Sequence, residues 1–137
     1  MRISISRACL VLAFTWTAPA LASAEKSYLC AINEVYECVA VTGCSRISLD
    51  DANLVGVMLI DVEKKQLITA PLGQEPTSDD IESLAVTDEA ILLHGTGKKD
   101  ANRTWSGVIS LKTGSLSAGV STPDASLALS GRCTAKP

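Results

Sequence analysis

Between Lys26 and Glu37 apolar side chains recur at alternate positions, with Tyr28, Cys30, Ile32 and Tyr36 on one parity and Asn33 and Glu37 on the other. That period predicts a half-buried strand. A loop holding Cys38 and Cys44 follows. In Ser48-Leu49-Asp50-Asp51-Ala52-Asn53 a hydroxyl then precedes a carboxylate by three residues, which predicts one short helical turn over 48–53. Val55 to Val62 is an almost unbroken apolar run, too short for a good helix and suited to a buried strand. Charged Glu63-Lys64-Lys65-Gln66 turns the chain into Leu67–Ala70, completing a hairpin, and Pro71, Gly73 and Pro76 place a surface loop from Pro71 to about Ser78.

Residues 81–86 read as a strand, although Ser78 and Asp79 would equally cap a short helix. Ala90–His94 and Thr104–Leu111 are clearer strands, the second with Trp105, Gly107, Ile109 and Leu111 on one face. After a turn at Lys112–Ser115, Ser115–Ser121 and Ala125–Arg132 supply the last two. Short connections favour antiparallel neighbours. The fold class predicted is all-β: an antiparallel meander of about eight strands with the one helical turn near 48–53. No helix is long enough to cover the sheet, so it must bury its apolar face against itself as a small barrel or strongly coiled sheet, or as two packed sheets.

The first 24 residues carry a different pattern. Arg2 and Arg7 precede the apolar run Ala8–Trp16, and after Pro19 the segment Ala20-Leu21-Ala22-Ser23-Ala24 offers small residues where a signal peptidase reads. This predicts a cleavable secretory signal peptide over 1–24 and a single domain over 25–137. The run falls short of the roughly 20 residues that span a bilayer, so no stable membrane insertion is expected after cleavage. The predicted location is periplasmic or secreted, in a bacterium.

Loss of Arg2 and Arg7 leaves 10 basic side chains against 15 acidic, a net charge of about −5. Such a surface repels phosphate backbones, so nucleic acid is not an expected partner. Cysteines remain at positions 30, 38, 44 and 133, an even number in an exported chain, which reads as two disulfides. A continuous strand rising ~3.3 Å per residue would hold Cys30 roughly 25 Å from Cys38, well beyond bridging range. Of the two remaining pairings, Cys38–Cys44 closes a short loop around Thr42 and Gly43 and leaves Cys30 in the first strand to meet Cys133 in the last. That pair of bridges is expected.

Candidate chemistry is sparse. His94 is the only histidine, and no Gly-x-Ser-x-Gly elbow accompanies it. The pairs Asp50-Asp51 and Asp79-Asp80 lack the spacing of a calcium loop and read as capping or solvated carboxylates. Gly95-Thr96-Gly97-Lys98-Lys99 lacks the glycine spacing and following Ser or Thr of a phosphate loop and reads as a hairpin turn. Asn102-Arg103-Thr104 matches a glycosylation acceptor, incidental in a bacterial protein. The domain keeps only Tyr28, Tyr36 and Trp105 as aromatics, less than a lipid- or sugar-stacking barrel invests, and Trp105 reads as core. Arg103 and Arg132 are the exposed side chains best placed for partner contact. No catalytic, cofactor or metal site is predicted, and the chain reads as a non-enzyme.

Taken together, Tyr28-x-Cys30, Glu37-Cys38, Cys44-Ser45-Arg46, Ile60–Lys65, Trp105-Ser106 and Gly131-x-Cys133 resemble a group of small exported proteobacterial proteins without assigned function. That resemblance implies periplasmic residence. Tyr28-x-Cys30 and Cys133 are also similar to positions in periplasmic inhibitors of C-type lysozyme, which implies an eight-stranded barrel. Those inhibitors carry a Ser-Gly-x-x-Tyr loop, whereas neither Ser106-Gly107 nor Ser130-Gly131 is followed by tyrosine. The function expected is a non-catalytic binding or accessory module, with a lysozyme-inhibitor-like protein as the alternative and another envelope protein as the partner.

Overall fold

The computed structural model describes residues 26–98 and 101–136, so the predicted leader lies outside the described residues. Ten strands are formed: β1 (Ser27–Val39), β2 (Gly43–Ile47), β3 (Val57–Asp61), β4 (Gln66–Thr69), β5 (Thr77–Asp80), β6 (Ser83–Val86), β7 (Ala90–Thr96), β8 (Thr104–Ser110), β9 (Ser115–Ser121) and β10 (Ser126–Ala135). They make one curled, half-barrel sheet in the order β5-β4-β3-β1-β10-β9-β8-β7-β6, with β2 paired to the far half of β1. All the pairings are antiparallel.

The order is a meander from β6 to β10 that continues through β1. β5 and β6 stand at opposite ends of it yet are separated by two residues. The Ile81 N–H donates to the Lys65 carbonyl (2.8 Å) and the Glu82 N–H to the His94 carbonyl (2.9 Å). The segment 77–86 therefore leaves β4 and joins β7 within one step, drawing the sheet's two ends together.

The expected helical turn at 48–53 is absent. Ser48 does cap, its Oγ accepting the Asp51 N–H at 3.0 Å and donating to Asp51 Oδ2 at 2.6 Å. The Ala52 N–H reaches the Ser48 carbonyl, but Asn53 bonds back only to Asp50 and takes a φ of 51°. A single helical bond does not repay the dihedrals it fixes, and a left-handed residue ends any continuation, so the segment is a run of turns. Two strands were also not foreseen. β2 lies within the expected cysteine loop, and β5 begins inside the expected surface loop, because pairing to a neighbour overrode weak local propensity.

The alternation in β1 also departs from expectation. Ile32 pairs with Gly131 and Glu34 with Ser130, so Asn33 is an extra residue, a β-bulge. It shifts the parity: Val35 is buried at 1% exposure, and Tyr36, expected on the same face as Cys30, is 40% exposed.

Inward-facing residues form two core clusters. The larger surrounds Ile60, Ile91 and Ile109, with Tyr28 and the Cys30–Cys133 pair. The smaller joins Ile32, Val35, Val120 and Leu129. Met58, Trp105 and Ala118 pack against both. Ile91 is fully buried, and Ile91→Ala is expected to cost about 2–5 kcal/mol, transfer and cavity together. In urea this should lower the unfolding midpoint while leaving the slope unchanged.

Candidate functional site

The concave side of the sheet holds a half-open cavity of about 630 Å³ at the junction of the two core clusters. That volume lies in the range of small-molecule sites, roughly 300–1,000 Å³. Its deep wall is apolar, with Ile32, Leu93, Leu116, Val120 and Leu129 all buried, and with Met58 beside them. Three loops supply the polar members Asn53, Gln74, Lys98 and Arg103, and Thr69 on β4, Thr77 on β5 and Ser106 on β8 are also polar. β5 adds Ser78 and Asp79.

The cavity exists because small residues face inward where large ones would close it. Gly107 on β8 and Ala118 on β9 are the inward ones. Among the described residues, Trp105 is the one aromatic in the wall. Its indole lies over Gly95, the residue opposite it on β7, so closely that a Cβ there would come within 2.5 Å of Trp105 Cζ2. Gly95 thus sets the position of the indole. The Trp105 Nε1–H is buried with no acceptor among the described residues, a desolvated donor of the kind proteins pair in more than nine cases of ten, by rough count. Trp105 is therefore both a packing residue, as expected, and a cavity-lining one.

Among the described residues, three charged side chains line the cavity: Asp79, Lys98 and Arg103. Asp79 Oδ1 accepts the Lys98 N–H at 3.0 Å, and Lys98 Nζ lies 3.6 Å from Asp80 Oδ2. These contacts stitch the β7–β8 loop to β5 across the ends of the sheet. The pair Asp79-Asp80, read from sequence as solvated, is thus part of the closure. Arg103 is half-buried, and its guanidinium makes no hydrogen bond or ion pair with any described residue. Its carbonyl accepts the Gly97 N–H at 2.7 Å, which fixes the hairpin.

Compared with protein-family models, with curated proteins and with solved structures, this chain matches none of them.

The remaining candidate residues lie away from the cavity. His94 is exposed, opposite Ser83 on β6 and Ser106 on β8, with Nδ1 3.9 Å from Glu82 Oε2. The other Glu82 oxygen accepts the Thr96 hydroxyl. Glu82 thus faces His94 and Thr96, while Ser83 and Ser106 are register neighbours of His94, Ser106 also lining the cavity. Arg132, considered together with Arg103, stands near the opposite end of β9, with Nη1 donating to the Thr113 carbonyl at 3.2 Å. Asp50 and Asp51 belong to the turns after β2. Among the described residues no three His, Cys, Asp or Glu side chains are placed to hold a metal ion, and no helix is long and apolar enough to cross a membrane.

Cys30 is bonded to Cys133 and Cys38 to Cys44, each pair directly opposite across neighbouring strands. The first bridge is buried beside the larger cluster, and the second closes the β1–β2 hairpin at the surface. Sequence reasoning missed Met58, Ala118 and Leu54 as cavity residues. Nothing in the period of a strand distinguishes an inward residue that meets a partner from one that meets a void.

Proposed function

We propose that this protein is an exported, non-catalytic binding module that receives a small guest in the concave cavity of its half-barrel sheet. The observation that carries the reading is the cavity itself, about 630 Å³, apolar in depth and polar at its opening, held between two packed clusters. Export rests on the basic and apolar leader pattern and on two disulfides, which persist in oxidising compartments. The lysozyme-inhibitor resemblance is not carried further, because Ser106-Gly107 and Ser130-Gly131 both sit within strands and no loop displays either pair.

The neutral fluorophore N-phenyl-1-naphthylamine should bind protein taken from the periplasm, saturably and at one site. Ala118→Phe and Met58→Trp, which fill the cavity from different strands, should each weaken that binding by tenfold or more, while far-UV circular dichroism stays unchanged. Unsaturable binding, or binding untouched by both substitutions, would remove the reading. Intact mass of the same material should correspond to residues 25–137 with four hydrogens missing.

A further inference from the structure

Resting on the cavity as a binding site, we propose that its guest is a single-chain amphiphile with one anionic head, carboxylate or phosphate, bound by Arg103 with the alkyl body against the apolar wall. Of the three charged residues lining the cavity, Asp79 and Lys98 already have partners in the described structure, and Arg103 has none. A half-buried guanidinium with no protein partner keeps its donors available, and its planar fork matches a carboxylate or phosphate through two parallel hydrogen bonds. Behind it the wall is aliphatic, with Ile32, Val120 and Leu129 buried. A charge at the opening over an apolar depth is the arrangement that an amphiphile fills end to end.

Arg103 also borders a second, shallow cleft of about 160 Å³ shared with Glu37 and Asp51. Neither carboxylate lies within ion-pair distance of it, and Asp51 is engaged by Ser48. Arg103 therefore lines both the acidic cleft and the cavity. The apolar depth is on the cavity side. Few aromatic residues weighed against a lipid guest in the sequence, but the cavity wall is aliphatic, and an alkyl chain packs on such side chains without a stacking platform.

The test is displacement of N-phenyl-1-naphthylamine by decanoate, decyl phosphate, decanol and decylammonium, each below its micelle concentration. Decanoate or decyl phosphate should displace the probe at about tenfold lower concentration than decanol, the factor of a charge-assisted bidentate contact, and decylammonium should be weakest. Whichever of the two anions is stronger identifies the head group. Arg103→Gln should bring anion and alcohol within about twofold of each other, each scaled to that variant's own affinity for the probe, and Arg103→Lys should fall between. Because the Arg103 side chain holds nothing else among the described residues, these variants are expected to fold. Equal displacement by decanol and both anions, or an anion preference that survives Arg103→Gln, overturns the proposal and leaves the binding site intact. Failure of the probe to bind at all removes the site and the proposal together.

Discussion

Gly131→Ala should destabilise the protein by about 3–5 kcal/mol, more than any other single methyl group added to the sheet. A Cβ at Gly131 would stand 2.2 Å from the Ala31 carbonyl oxygen and 3.1 Å from Ile32 Cα, both main-chain atoms. No rotamer relieves such a contact, so β10 must move away from β1. The bulge at Asn33 makes the position intolerant: it crowds β1 against β10 between Ile32 and Glu34, opposite Gly131 and Ser130. Overpacking costs about 1–3 kcal/mol and each ladder hydrogen bond lost about 0.5–1.5, which together give the expected figure. A domain of this size has only about 5–15 kcal/mol of stability to lose. Urea unfolding followed by circular dichroism measures it. A change below about 0.5 kcal/mol would mean that the two strands are not as close as described.

Removal of the Cys30–Cys133 bridge is expected to cost about twice as much as removal of Cys38–Cys44. The first closes a sequence separation of 103 residues and the second one of 6. In the loop-entropy description these restrict the unfolded chain by about 4.7 and about 2 kcal/mol respectively. Location reinforces the difference. Cys30 and Cys133 are buried among Tyr28, Ile60 and Leu116, so Cys30→Ala with Cys133→Ala also opens space in the larger core cluster. Cys44 is exposed at the end of a hairpin whose loss leaves the rest of the sheet paired. The paired alanine variants, unfolded in urea, give the comparison directly. Equal losses, or a larger loss for the hairpin bridge, would contradict it. The long bridge joins the two strands at the centre of the order, β1 and β10, and so ties the chain's first strand to its last.

These two expectations bear on the proposed function through the cavity. Leu129 and Leu116 in its wall flank Gly131 and Cys133 in the register of β9 and β10, and Ile32 in β1 stands opposite Gly131. Displacing β10 from β1 would open the deep wall as well as weaken the fold. Variants that lose stability by this route should lose probe binding too, whereas Arg103→Gln alters selectivity without a loss of stability.

The chain's own pattern was enough to establish an all-β body. Trp105, Gly107 and Ile109, and Leu127, Leu129 and Gly131, recur at every second position, with Gly, Thr and Asp in the connections, and that period reads as strand. It was also enough to disfavour a Cys30–Cys38 bridge, since distance along a continuous strand follows from residue count. Tertiary structure decided everything that depends on a neighbour: the bulge that turned Tyr36 outward, the pairing that made strands of 43–47 and 77–80, and the failure of 48–53 to propagate as a helix. The cavity belongs to the same class. Alternation reports which side chains point inward and says nothing of whether opposing layers meet, so the void between Trp105, Met58 and Ala118, and the unpaired Arg103 at its opening, follow only from how the sheet curls.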